Sequence, residues 1–158
     1  MILACDPGTK HCAFALYKDG KLIATYKVKS TFDKLKGFFS ALNIKNYIFV
    51  IEDQYLNLNV RTLKALVEIR ATVLTLARIY NASNCIVVPP QKWQRTMLGV
   101  HIKSKREQRK NASRLAASEI AKEKVKDSDV ADAICIGDYA NRIHSLQAQQ
   151  NCNTPLYI

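Results

Sequence analysis

The sequence predicts a single α/β domain in which helices cover both faces of a mixed β-sheet. Strand-like segments cluster in the first 28 residues, a continuously apolar segment lies at residues 47–51, and later segments carry apolar residues at helical spacing. With 158 residues, of which 48% are hydrophobic and 23% charged, the chain is large enough and apolar enough to bury a core.

The first 28 residues are predicted to form three consecutive antiparallel strands. Residues 2–6 are an apolar run that ends at Asp6, because the Pro-Gly dipeptide that follows favours a turn. The segments 11–17 and 21–28 flank an Asp-Gly dipeptide, which is typical of hairpin turns. These three strands therefore begin the sheet.

A helix and a central strand are predicted next. Thr31 belongs to a residue type that caps helices, and apolar residues follow it at helical spacing: Phe32, Leu35, Phe38, Phe39 and Leu42. Residues 47–51 are continuously apolar, as expected of a strand that is covered on both faces. This strand ends on Glu52.

The rest of the chain is predicted to be mainly helical. The expected elements are a helix at 60–80, a strand at 85–88, a short helix at 91–97, and helices at 104–124 and 129–146. One domain is therefore expected over residues 1–146, followed by a polar C-terminal tail at 147–158.

The net charge indicates a polyanionic partner. The chain carries +11 with a pI near 9.6, and the stretch from Lys92 to Lys126 holds eleven Lys and Arg against three Glu, a net +8. A small domain this basic usually binds a polyanion. The alternative is a solvated helix surface. Membrane binding is not expected, because the stretch lacks a broad apolar face.

The termini and cysteines indicate a protein that stays in the compartment where it is made. The N-terminus has no basic segment before its apolar residues, and it reaches an acid at residue 6. No apolar run has the length of a membrane span. The five cysteines form no CxxC pair, so reduced thiols are expected rather than a zinc site or disulfides. A cytoplasmic location follows.

Four of the 13 acids occupy informative positions. Asp6 and Glu52 stand at the C-terminal ends of predicted buried strands, the edge of an α/β sheet where ligands bind. Asp129 and Asp132 are spaced i, i+3, which places both carboxylates on one face of a helix. Taken singly, each has a structural alternative: a turn residue, the first residue of a loop, or a helix N-terminal acid that favours the helix dipole.

Taken together, the four acids predict a divalent metal site. Converging carboxylates would repel one another, and Mg²⁺ prefers oxygen ligands. Two such ions about 4 Å apart can perform in-line phosphoryl displacement. The neighbouring acids Asp53 and Asp127 are expected to support the site from outside or to face solvent.

Three blocks carry a resemblance to a known family. Asp6-Pro-Gly-Thr, Val50-Ile-Glu52 followed by Tyr55, and Asp129-Val-Ala-Asp132-Ala resemble, in order and spacing, the RuvC family of Holliday-junction resolvases, particularly its short phage-type members. The resemblance implies an RNase H-like fold, a homodimer, and paired nicking of four-way DNA junctions in recombination and repair. It also implies two Mg²⁺ ions per site, replaceable by Mn²⁺, on Asp6, Glu52, Asp129 and Asp132.

The resemblance also implies DNA-binding residues. Tyr55 falls where the family places an aromatic that stacks on a base at the junction centre. The basic segment corresponds in position to one that contacts the DNA backbone; its residues are Lys103, Lys105, Arg106, Arg109, Lys110 and Arg114. Which lysine approaches the scissile phosphate stays open among Lys103, Lys105 and Lys110. Trp93 is expected to be a hydrophobic anchor for the short helix rather than a DNA contact.

Three other functions are alternatives to the resolution of four-way junctions. A nuclease with a broad preference for flaps, forks and replication intermediates would use the same acids. An ATPase of the actin and sugar-kinase class would need more glycine-rich turns than five glycines without a Gly-Gly pair provide. A non-catalytic RNase H-like DNA-binding protein would have no reason to keep four uncompensated acids.

Overall fold

A mixed five-stranded sheet forms the centre of the computed structural model, which describes residues 1–54, 59–99 and 105–152, without the side chains of 146–152. The strands are β1 (Ile2–Asp6), β2 (His11–Lys18), β3 (Lys21–Lys29), β4 (Ile48–Glu52) and β5 (Asn84–Val88). The helices are α1 (Phe32–Leu42), α2 (Val60–Ile79), α3 (Pro90–Leu98), α4 (Arg106–Ala121) and α5 (Ser128–Cys152). The strand order across the sheet is β3-β2-β1-β4-β5.

The register of the sheet brings two acidic strand ends together. β1 pairs antiparallel with β2 and parallel with β4, and Cys5 lies opposite Ile51. The next residue on each strand is the acid, so Asp6 and Glu52 are neighbours at the same edge. β5 continues the parallel half of the sheet, with Glu52 opposite Val88.

Helices pack on both faces of the sheet. The small side chains of Ala4, Ala13 and Ala15 face the helix α5. Among the strands, α5 contacts β1 and β2 more than β3 and β4. The opposite face packs against α1 and α2 through a second cluster that includes Phe39 and Val73. This confirms the predicted fold class, a mixed sheet with strands 1–3 antiparallel and helices on both faces.

Two predicted helix ends differ from the structure. α4 ends at Ala121 rather than at residue 124, because Lys122 adopts a left-handed conformation with φ of 56°. α5 continues to Cys152, beyond the predicted end at 146.

Thr31 caps α1 by its position, as predicted, but not through a side-chain hydrogen bond. Thr31 occupies the residue before α1, in an extended conformation. Its backbone carbonyl instead accepts a hydrogen bond from the Leu35 N–H.

The described helices include none that is long and apolar enough to cross a membrane. Cys5, Cys12, Cys85 and Cys135 are free thiols, and Cys85 alone among these four is partly exposed.

Candidate active site

A cavity of about 530 Å³ opens at the edge of the sheet where β1 and β4 end. Its wall includes all four acids of the predicted metal site: Asp6, Glu52, Asp129 and Asp132. The first two reach it from the strand ends and the last two from the first turns of α5. The sheet register and the i, i+3 spacing therefore bring together residues that are up to 126 positions apart in the sequence.

Asp6 and Glu52 form the most strongly perturbed pair in the cavity. Burial raises the pKa of Asp6 well above its ordinary value, and the negative charges of Glu52, Asp132 and Asp129 raise it further. Burial also raises the pKa of Glu52 to about 7, although hydrogen bonding to Trp93 and to Asp6 opposes the rise. These two carboxyl groups are thus close enough to affect each other's ionisation.

Trp93 holds one oxygen of Glu52. Its indole Nε1 donates a hydrogen bond to Glu52 Oε1 over 2.8 Å, while the ring is only 1% exposed. The expected role of hydrophobic anchor for α3 agrees with this burial. The hydrogen bond to an acid of the predicted site did not follow from the sequence.

Ser113 holds one oxygen of Asp132 in the same way. Its hydroxyl donates to Asp132 Oδ1 over 2.5 Å from a buried position on α4. Burial is the largest cause that raises the pKa of Asp132, to about 6, and the charge of Asp129 raises this pKa as well. The hydrogen bond from Ser113 and the positive charges of Lys110 and Arg109 lower the same pKa. Three of the four acids therefore have raised pKa values.

Asp129 is held by a cation from the edge of the sheet. Lys27, on β3, lies 3.2 Å from Asp129 Oδ2 and 2.5 Å from Asp127 Oδ2. Asp127 also accepts hydrogen bonds from the backbone N–H groups of Asp129 and Val130, so it caps α5. Burial alone would raise the pKa of Asp127, but the hydrogen bond from Lys27 and those from the backbone lower it.

Asp53, the other neighbouring acid, points to α2. It forms an ion pair with Arg70 and accepts a hydrogen bond from the Gln54 N–H. Asp53 does not line the cavity in the part of the chain that the structure describes.

Basic side chains line the cavity opposite the acids. Arg106, Arg109 and Lys110 contribute from the first turns of α4, and Lys10 contributes from the turn between β1 and β2. Lys110 Nζ also donates a hydrogen bond to Ser128 Oγ over 3.0 Å, which ties α4 to the start of α5.

Two other predicted DNA-binding residues, Lys105 and Arg114, lie outside the cavity wall. Lys105 is exposed at the residue before α4 and is not part of the cavity wall. Arg114 binds Glu107 and Asn111, and it lines a separate groove. Tyr55 and Lys103 lie outside the described residues.

The donor chemistry of the cavity fits a hard cation. Its acids supply only oxygen ligands, and their mutual repulsion would be relieved by a divalent ion. Across residues 1–54, 59–99 and 105–145, no group of three or more His, Cys, Asp and Glu side chains is placed to hold a metal ion. Mg²⁺ usually keeps several water ligands, so it does not need a complete set of protein ligands.

Sequence reasoning missed Ser113 and Lys27, which contact these acids, and Lys10, which lines the cavity. Ser113 could have been noticed as a polar residue four positions before Ala117 on the buried face of α4. Lys27 and Lys10 carry no comparable signal, because one is an alternating polar residue of an edge strand and the other a turn residue.

Solved structures show the same fold. Thermus thermophilus RuvC in complex with a Holliday junction substrate is 16% identical, with 94% of each chain covered and a TM-score of 0.71. The Fowlpox virus resolvase, in complex with Holliday junction DNA, is 21% identical over 92% of this chain and 99% of its own, with a TM-score of 0.54. The yeast mitochondrial Holliday junction resolvase Ydc2 is 14% identical over 95% and 81%, with a TM-score of 0.55.

These structures confirm the resemblance to RuvC and other Holliday junction resolvases at the level of the fold. No curated protein matches the chain by sequence. A family model described as "Lactococcus phage M3 protein" matches residues 12–142, which include all of β2 but its first residue, β3 to β5, and three of the four acids. The chain therefore belongs to the Lactococcus phage M3 protein family, and it has the fold of the RuvC-type resolvases.

Proposed function

We propose that this protein is a divalent-metal-dependent endonuclease that resolves four-way DNA junctions. The observation that carries the proposal is the single cavity in which Asp6, Glu52, Asp129 and Asp132 face basic residues of α4. The folds of three Holliday junction resolvases support it, since each covers more than nine-tenths of this chain. Phosphoryl chemistry at such sites depends on charge neutralisation and positioning.

The four acids would hold two Mg²⁺ ions, which Mn²⁺ could replace. Asp6, Glu52 and Asp129 would hold the ions, and Asp132 would bind or orient one of them. The bound ions supply the Lewis acidity for phosphodiester hydrolysis, which leaves a 5′-phosphate and a 3′-hydroxyl. Glu52 and Asp132 would each reach the ions while accepting a hydrogen bond, from Trp93 and from Ser113 respectively.

The basic side chains of the cavity would hold the DNA backbone. The cavity wall that contains the acids also contains three basic residues from one end of α4: Arg106, Arg109 and Lys110. Contacts from such residues to phosphates fix the position of the DNA without reading its base sequence. Of the three lysines considered as candidates to approach the scissile phosphate, Lys110 is the one in the cavity wall among the described residues. Lys10 is a further candidate.

A homodimer is part of the proposal, because paired nicks need two active sites at a fixed separation. The long helix α2 is the proposed dimer element. It exposes Val67 at 38% and Ile79 at 63%, and the neighbouring edge strand β5 exposes Ile86 and Val87 at 38% and 39%. Sedimentation or light scattering of the wild-type protein and of a Val67→Glu, Ile79→Glu variant would test this: the variant should be monomeric.

Cleavage of synthetic substrates tests the function. A four-way junction, a flap, a fork and a linear duplex would be offered to the wild-type protein and to Asp132→Asn with Mg²⁺. Paired, symmetric nicks in the junction alone, absent with Asp132→Asn, are the expected result. Cutting of every branched substrate would favour a general branched-DNA nuclease, and binding without metal-dependent cutting would favour a non-catalytic DNA-binding protein.

A further inference from the structure

The one tryptophan of the chain is hydrogen-bonded to an acid of the candidate active site. We propose that Trp93 is a positioning residue: its indole N–H fixes one oxygen of Glu52, so that the carboxylate is held in place to bind a divalent cation. The proposal rests on the proposed function for the identity of the metal site. It adds a role for α3, an element that contributes none of the four acids.

The position of the indole is fixed from several sides. β5 ends at Val88, Pro89 follows, and α3 begins at Pro90. Proline restricts the backbone at the start of a helix. The Trp93 ring lies in the same core cluster as Val88, Ala117 and Ala131, with 1% of its surface exposed. The N–H donor therefore belongs to a packed part of the structure rather than to a mobile side chain.

The acceptor of the Trp93 hydrogen bond indicates a role for Trp93 beyond packing. A buried indole N–H needs an acceptor, and a backbone carbonyl would satisfy this need. The acceptor here is Glu52 Oε1, at 2.8 Å, and Glu52 lines the cavity together with Asp6 and Asp132. A neutral donor orients the carboxylate without cancelling the charge that attracts the cation. Partners of this kind to metal ligands typically change metal affinity by about 10-fold to 100-fold.

The single tryptophan allows a substitution of one functional group. Global incorporation of benzothienylalanine replaces the indole N–H with sulfur and keeps the bicyclic shape, whereas 4-fluorotryptophan keeps the N–H. Because the chain has one Trp, only position 93 changes. We expect the benzothienyl protein to need about 10-fold more Mg²⁺ for half-maximal junction cleavage. The fluorotryptophan protein should keep the wild-type requirement, and junction affinity in EDTA should be the same in all three.

A spectroscopic measurement tests the same link without changing Trp93 and without DNA. Mn²⁺ bound at Glu52 should quench the fluorescence of the adjacent indole in a saturable manner. Glu52→Gln keeps an oxygen that can accept the hydrogen bond but loses the charge, so its quenching should vanish or need at least about 10-fold more Mn²⁺. Glu119→Gln, an exposed site on α4, is the matched control and should titrate as wild type does.

The outcomes separate this inference from the proposed function. An unchanged Mg²⁺ requirement in the benzothienyl protein, or an equal rise in the benzothienyl and fluorotryptophan proteins, would leave Trp93 as a packing residue and overturn the proposal. Unsaturable Mn²⁺ quenching that Glu52→Gln does not alter would also overturn it. Saturable quenching that depends on Glu52, in a protein that cuts no DNA, would support a cation site at Glu52 beside the indole while the nuclease function fails; the benzothienyl protein, with Mg²⁺ affinity read from urea denaturation, would then decide the positioning role.

Discussion

Glu52→Gln should stabilise the metal-free protein at alkaline pH even though it removes a predicted metal ligand. Burial raises the pKa of Glu52 from its ordinary value of 4.5 to about 7. Each pKa unit corresponds to about 1.4 kcal/mol, so the ionised carboxylate destabilises the folded state by about 3 kcal/mol at pH 8. Glutamine keeps the shape and an oxygen acceptor for Trp93 but has no charge.

The pH dependence has a defined sign. Below pH 4.5 Glu52 is protonated in both the folded and the unfolded state, and it has no effect on stability. As the pH rises through about 7, the unfolded state loses its proton first, so the folded state becomes less stable relative to it. The difference in unfolding free energy between Glu52→Gln and wild type should therefore grow from about 0 near pH 4.5 to about 3 kcal/mol at pH 8.

Urea denaturation in EDTA at pH 5, 6, 7 and 8 measures this difference. The exposed substitution Glu119→Gln serves as the control and should follow wild type at every pH. Mg²⁺ at 100 times its dissociation constant should raise the unfolding free energy of the wild type at pH 8 by about 2.7 kcal/mol. If the difference in unfolding free energy between Glu52→Gln and wild type is instead the same at pH 5 and pH 8, burial does not raise the pKa of Glu52.

Three further substitutions test other parts of the structure. Ser113→Ala removes the donor to Asp132, and junction cleavage should then need about 10-fold more Mg²⁺, an effect that Ser113→Thr should not produce. Gly137→Ala should lower the unfolding free energy in urea by about 1 to 3 kcal/mol, because the added methyl group would lie 2.3 Å from the buried Tyr17 ring; an unchanged midpoint would contradict the tight packing of α5 on the sheet. Lys110→Ala should weaken junction binding for all sequences and reduce the slope of log affinity against log salt by about 1, and an unchanged slope would remove Lys110 from the DNA face.

Local pattern was enough to predict the fold and the place of the acids. The Asp-Gly turn and the apolar run at 47–51 predict strands along the chain, and the parallel pairing of β1 with β4 in the structure places their ends at one edge. Asp6 and Glu52 meet because each is the last residue of its strand. The i, i+3 spacing of Asp129 and Asp132 needs only that a helix begins there.

The partners of the acids could not be predicted from local pattern. Trp93 is 41 positions from Glu52, and Lys27 is 102 positions from Asp129. These contacts depend on how α3 packs against the sheet and on which edge of the sheet β3 occupies. Neither follows from periodicity, which reports the buried face of an element but not its neighbour.

Two acids of the cavity accept hydrogen bonds from neutral donors, and a third forms an ion pair with a lysine. Glu52 and Asp132 are each held by a neutral donor, an indole N–H and a hydroxyl, which orient a carboxylate without competing with a metal ion for its charge. Asp129 is held by Lys27, but that ammonium group is closer to Asp127, at 2.5 Å, than to Asp129, at 3.2 Å. The closer ion pair of Lys27 is therefore the one with Asp127, which does not line the cavity among the described residues. A cation directly paired with Glu52 or Asp132 would instead oppose metal binding, so Ser113→Lys should abolish the response of stability to Mg²⁺ in a way that Ser113→Ala does not.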